Sequence, residues 1–137
     1  MQAPEVVYIA LGSNRGDREL YLSAARLAIA ALPGTSVVAA SEVEETEPIG
    51  PPGQDRYLNQ MIAIHTTLEP EQLLSALQRI EAENGRVRAE RWGPRTLDLD
   101  IVRFGSREIR TPRLTVPHPQ LERRAFWQRE LEQLTHD

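Results

Sequence analysis

Short apolar runs of strand type alternate along this chain with two stretches of helical period. Val6 to Leu11 is an apolar run that stops at Gly12-Ser13-Asn14-Arg15-Gly16-Asp17, a dense loop signal with Asp17 placed to cap a helix. Leu20, Ala24, Leu27, Ala28 and Ala31 then recur at helical spacing and predict a helix over 18–32, ended by Pro33-Gly34. A strand is expected over 35–45, with Val37, Val38 and Val43 inside it. The Pro- and Gly-rich stretch 46–56 reads as a long loop, either a binding loop or a plain connector. Residues 57–66 alternate as a third strand, with Tyr57, Asn59, Met61 and His65 in one phase and Leu58, Gln60, Ile62 and Ile64 in the other. Pro70 opens a second helix whose stripe is Leu73, Leu74, Leu77 and Ile80, with Gly85 as its stop. Residues 97–104 form the fourth strand, Leu99, Ile101 and Arg103 facing one way and Asp98, Asp100 and Val102 the other. A hairpin turn at 104–109, a stiff proline segment at 111–119 and a partly helical tail carrying Leu121, Phe126, Leu131 and Leu134 complete the chain.

The order β-α-β-β-α-β predicts an α+β protein of ferredoxin-like type, a mainly antiparallel sheet flanked by helices. No repeat or low-complexity tract divides it, so residues 1–137 are expected to form a single domain.

Composition narrows the chemistry. The chain has no cysteine, which removes disulfides, zinc–thiolate sites and thiol nucleophiles. It has no lysine, which removes a P-loop lysine and Schiff-base chemistry, although a bias toward arginine codons would produce the same absence. Any phosphate handled here must meet arginine, metal or backbone. No leader-like start and no membrane-length apolar run are visible, so a cytoplasmic home is expected. Charge is unevenly spread: residues 1–85 carry 5 Arg against 12 acids, and residues 86–137 carry 11 Arg against 8 acids. A local anion site fits this better than general nucleic-acid binding, which shows a basic domain.

The densest chemistry lies between Arg91 and Asp100. In a strand, Asp98 and Asp100 share a face with backbones about 7 Å apart, a spacing at which two carboxylates grip hard cations together. Arginines just upstream suit phosphate oxygens, and the combination points to Mg²⁺–nucleotide chemistry. Structural Asp–Arg pairing is the alternative reading of the two aspartates. A solvated charge run is the alternative for 86–95, although Trp92 beside Gly93-Pro94 argues against it. Tyr57 and Asn59, an aromatic and an amide in one phase, suit a flat hydrogen-bonding heterocycle, or are merely structural.

In one order, Gly12-Ser-Asn14, Tyr57-Leu-Asn59, Gln78-Arg-Ile-Glu81, Arg86-Val-Arg88, Arg91-Trp-Gly-Pro-Arg-Thr-Leu-Asp-Leu-Asp-Ile101 and Val116-Pro-His-Pro119 resemble the 6-hydroxymethyl-7,8-dihydropterin pyrophosphokinase family over roughly residues 6–126. The resemblance implies transfer of pyrophosphate from ATP to the pterin hydroxymethyl with release of AMP, in folate biosynthesis. It implies two Mg²⁺ ions held by Asp98 and Asp100, and Arg86, Arg95 and Trp92 on a loop closing over the phosphates. The pterin would be held by Thr46, Pro48, Ile49, Tyr57, Asn59 and Phe126. The ATP side would comprise Gln78, Glu81, Arg88, Ile101, Arg113, Thr115, His118 and Arg124. The family runs longer and more apolar after the phenylalanine matched by Phe126, so a shortened C-terminal part is expected here, in a monomer that binds neither nucleic acid nor membrane. The rival readings are a non-catalytic ATP- or pterin-binding paralogue, a kinase releasing ADP, and a ferredoxin-like RNA-binding module. The last is disfavoured by 5% aromatic residues and an aspartate pair on the sheet.

Overall fold

A computed structural model of the chain describes residues 4–47, 53, 55–85 and 96–135. The elements follow as β1 (Glu5–Ser13), α1 (Arg18–Ala30), β2 (Thr35–Ala40), β3 (Glu44–Thr46), β4 (Tyr57–Thr66), α2 (Pro70–Glu83), β5 (Asp98–Phe104), β6 (Ile109–Arg110), β7 (Thr115–Val116), a 3₁₀ turn at Leu121–Arg123, and α3 (Ala125–Thr135). The main sheet runs β2-β4-β1-β5, antiparallel throughout, with β3 added alongside the start of β4. Two helical crossovers thread this order, which is the expected ferredoxin-like α+β arrangement. Among the described residues, no helix is long and apolar enough to cross a membrane.

Both faces of the sheet are covered. Val7, Ile9 and Leu11 of β1 pack with Leu58, Ile62 and Ile64 of β4 against Leu22 and Ile29 of α1 and Leu73 and Leu77 of α2. On the other face, Ala10, Met61 and Val102 pack with Leu121, Trp127 and Leu131. Burial on two sides is why β4 is buried without a break from Leu58 to Ile64. The tail forms a full helix whose Trp127 is among the largest fully buried side chains.

Three details depart from the sequence pattern. In α1 the buried residues are Leu22, Ala25 and Ile29, while Leu20 and Leu27 are 63% and 72% exposed. The sequence holds two stripes of equal regularity, and tertiary contacts select between them. Asp17 accepts the Leu20 N–H at the helix start, and Arg26 Nη1 reaches Gln60 Oε1 at 2.7 Å.

The single strand expected over 35–45 is two strands. Ser41 breaks it by placing its hydroxyl on the Met61 N–H at 2.9 Å, and the pairing slips one residue between Val37 and Ala39. Val38 and Val43 are therefore exposed.

In β5 a bulge pairs Tyr8 with Arg103 but Ile9 with Ile101. The extra residue reverses the phase, so Phe104 takes the inward place expected for Arg103.

Candidate active site

The two aspartates open β5, where register places Asp98 beside Gly12 and Asp100 beside Ala10 of β1. Alternation puts both carboxylates on the α3 face of the sheet. The Asp100 side chain is 39% exposed, and His118 Nε2 lies 3.7 Å from its Oδ1. His118 is held from three sides. Its N–H donates to Val102 O at 2.9 Å, its Nδ1 accepts the Gln120 N–H at 3.1 Å, and its ring meets Trp127 edge-on at 4.9 Å. Because Nδ1 accepts, the proton of the neutral ring sits on Nε2, toward Asp100. The Arg124 guanidinium stacks on Trp127 at 4.4 Å, behind the same group.

Across the sheet, Asp98, Gly12 and Asn59 form one row on three neighbouring strands. Two strand spacings separate Asp98 from Asn59, roughly 10 Å. Between them Gly12 leaves the sheet bare. A Cβ there would sit 3.2 Å from Asn59 Oδ1 and 3.4 Å from Tyr57 Cδ1. Asn59 is buried and its amide donates to Thr46 Oγ1, while Tyr57 pairs with Thr46 across β3 and β4. Thr46, Tyr57 and Asn59 therefore meet at one end of the sheet. Asn14 Nδ2 donates to Asp55 O at 3.2 Å, and Arg18 bridges Glu45 at 3.0 Å and Arg56 O at 2.8 Å. These contacts fix both ends of the 46–56 segment. Phe126 is half-buried on α3, its ring centroid 6.2 Å from Trp127.

On the other side of Asp100 lies a cavity of about 220 Å³ whose lining includes Asp100, Ile101, Arg113, Thr115 and His118. Four of these five are residues expected on the ATP side, and Asp100 is the fifth. Gln78 joins them through Arg113, whose Nη2 lies 3.3 Å from Gln78 Oε1. Glu81 does not reach the surface: it is buried, and its Oε2 accepts the Leu99 N–H at 2.8 Å. Pro48, Ile49, Arg86, Arg88, Trp92 and Arg95 lie outside the described residues.

One buried acid escaped the sequence reading. Glu130 of α3 is fully buried, and among the described residues no donor reaches either of its oxygens. Burial, then a hydrogen bond to Glu44 and that residue's charge, push the Glu130 carboxyl up to about 9, with Arg129 acting weakly the other way. A neutral Glu130 thus donates to Glu44. Burial pushes Glu44 up too, but its hydrogen bonds to Glu130 and Arg129 outweigh this and hold it below the usual carboxylate range. Its place at helical spacing with Trp127, Leu131 and Leu134 was the signal that would have put Glu130 inside.

Among the described residues, no three His, Asp or Glu side chains gather as a metal cage. Two carboxylates on one strand face, Asp100 of them lining the cavity, still fit Mg²⁺, which is held through one or two carboxylates with the remaining positions left to water and phosphate oxygens.

A split-βαβ sheet that sets paired carboxylates between an amide–aromatic cluster and an Arg–His cavity defines an α+β protein with its polar side chains gathered around one strand. The sequence matches the family model described as 7,8-dihydro-6-hydroxymethylpterin-pyrophosphokinase over residues 8–136. It is 50% identical over 120 residues to the 2-amino-4-hydroxy-6-hydroxymethyldihydropteridine pyrophosphokinase of Pseudomonas aeruginosa, covering 88% of this chain and 74% of that one. The proteins of the same name from Bacillus subtilis and Haemophilus influenzae are 46% and 48% identical, over 88% and 87% of this chain and 72% and 74% of theirs. The chain belongs to the hydroxymethyldihydropterin pyrophosphokinase family.

Proposed function

We propose that this protein transfers the pyrophosphoryl group of ATP to the hydroxymethyl oxygen of 6-hydroxymethyl-7,8-dihydropterin in folate biosynthesis. The oxygen attacks the β-phosphorus, the bond from that phosphorus to the α-phosphate bridge breaks, and AMP leaves. The observation that carries this reading is the row Asp98–Gly12–Asn59, which sets a carboxylate on the same face of the sheet as the Asn59 amide and the Tyr57 ring, with only a glycine between them. Asn59 reads the edge of the pterin, Tyr57 and Phe126 flank its ring, and Thr46 with the backbone at Pro48 and Ile49 closes the pocket. Gln78, Ile101, Arg113, Thr115, His118 and Arg124 serve the nucleotide side. Arg86, Arg88, Arg95 and Trp92 are assigned to the phosphates by family resemblance. Asp98 and Asp100 would hold two Mg²⁺ ions, which supply charge neutralisation and polarise the phosphoryl oxygens. Transfer of this kind is chiefly positioning and charge stabilisation, and a closed pocket keeps water from competing as nucleophile. The chain acts as one catalytic domain, monomeric and cytoplasmic.

Incubation with Mg²⁺, ATP and the reduced hydroxymethylpterin tests the proposal by the nucleotide formed. AMP with pyrophosphorylated pterin is the expected result. ADP would make the protein a simple kinase, and tight ATP or pterin binding without turnover would make it a binding relic.

A further inference from the structure

The two aspartates sit on the edge of the sheet. Among the described residues β5 pairs with β1 on one side and with no strand on the other. Edge strands bend and fray more readily than central ones, because half of their backbone groups lack a ladder. A strand that must hold two carboxylates at one spacing needs a second support.

Glu81 supplies one. It lies on α2, whose Leu73, Leu77 and Ile80 anchor that helix in the core beneath the sheet. Its Oε2 accepts the N–H of Leu99, the residue between Asp98 and Asp100, at 2.8 Å. In an antiparallel pair, successive N–H groups alternate between the partner strand and the outside. Leu99 turns its N–H outward to Glu81, so Asp98 and Asp100 turn theirs inward to β1. The segment carrying both carboxylates is thereby gripped from both sides, by β1 and by a buried side chain of α2. Leu99 itself, with Asp100 and Ile101, forms part of the nucleotide-side cavity wall. A shift of Leu99 would move that wall and both carboxylates together.

We propose that Glu81 is a positioning residue that fixes the spacing of Asp98 and Asp100 through the Leu99 backbone, and does not itself contact the nucleotide. This rests on the assignment of Asp98 and Asp100 as the metal-holding pair.

The test compares Glu81→Ala with Glu81→Gln, which keeps an acceptor oxygen at the same reach. Amide hydrogen exchange in the ligand-free protein reads the bond directly. Leu99 should exchange at least about tenfold faster in Glu81→Ala and within about threefold of wild type in Glu81→Gln. Mn²⁺ binding, followed by electron paramagnetic resonance with α,β-methylene-ATP present, reads the carboxylate pair. Its affinity should fall about tenfold in Glu81→Ala and largely recover in Glu81→Gln. Binding of AMP without metal should be unchanged in both variants. Loss of AMP binding in both would overturn the proposal and make Glu81 a nucleotide ligand. Unchanged Mn²⁺ affinity in Glu81→Ala overturns the positioning role if Asp98→Ala weakens that affinity. If Asp98→Ala leaves it unchanged as well, the metal assignment falls and the positioning role falls with it. Should Glu81→Ala fail to fold, Glu81→Gln alone decides: Leu99 exchange more than about threefold faster than wild type, or AMP binding lost, counts against the proposal.

Discussion

Glu81 and Glu130 are both buried glutamates on inward helix faces, and each ties its helix to a strand beside the site. Glu81 finds a backbone donor at Leu99. Glu130 finds another acid, Glu44, and must keep a proton to bond it. The first attachment meets a backbone N–H, which does not titrate. The second depends on solvent pH, and it is reinforced by Arg129 on Glu44 at 2.8 Å and by Gln133 accepting the Glu42 N–H at 2.9 Å. Burial alone does not set how a carboxyl behaves; the nature of the group facing it does. Leu99 is thus tied through a backbone N–H, and α3 is tied to β3 by a titratable pair of acids.

The largest expected effect lies on the first side. Asp98→Ala should lower turnover by at least about 10³-fold, or roughly 4 kcal/mol of transition-state stabilisation, measured as AMP formed at saturating Mg²⁺–ATP. Turnover within tenfold of wild type would remove the two-carboxylate account.

The second largest lies in the acid pair. Glu130 has a folded-state value raised to about 9 from an ordinary 4.5, so its proton favours the folded state. That stability is fully present below about pH 4.5 and is lost as pH rises toward 9. Each pH unit between the ordinary and the folded-state value is worth about 1.4 kcal/mol, so the loss is a few kcal/mol; the lowered Glu44 acts only below its ordinary value and does not enter this window. The melting temperature should therefore fall between pH 5 and 9, and Glu130→Gln should flatten that fall. A wild-type melting temperature that stays level over this range would mean that Glu130 is charged and paired elsewhere.

The same contrast explains what the sequence disclosed. The β-α-β-β-α-β order was readable because each run keeps one period, and α2 carries its stripe and both stops in plain view. The α1 face was not readable. Leu20 and Leu27 recur as regularly as Leu22 and Ile29, and only the Arg26–Gln60 bond and the docked sheet distinguish them. The phase of Arg103 was hidden because a one-residue bulge has no sequence signature in Asp98–Phe104. At the site, Asp98 and Asp100 announced themselves by spacing. Gly12 appeared only as part of a loop motif, because its contribution is the close approach it allows to Asn59 and Tyr57, which exists only once β4 flanks β1. For Glu130 the signal is positional and not chemical: its type reads as solvent-facing, while its spacing from Trp127 and Leu131 places it on the buried face.

Gly12 offers a test of the row that joins the two sides. Its added Cβ would stand 3.2 Å from Asn59 Oδ1 and 3.4 Å from Tyr57, so a side chain there must push both. Gly12→Ala should weaken pterin binding about tenfold, near 1.4 kcal/mol, while ATP binding changes less than twofold. Equal losses for both ligands would show that the row is a general structural seam and not the floor of one compartment.

The smallest effect separates the proton from the ion pair as the agent that holds α3. Arg129 is more than half exposed where it meets Glu44, so water and salt screen the contact. Arg129→Ala should lower the melting temperature at pH 7 by only about 2 °C, and added salt should shrink the difference further. The pH dependence should survive in this variant, because Glu130 would still face Glu44 in the interior. Its midpoint should move upward, since the Arg129 charge is the one influence that draws the Glu130 carboxyl down. A pH dependence abolished by Arg129→Ala would reverse the comparison: α3 would then be held by a surface charge, and the buried proton would be its consequence.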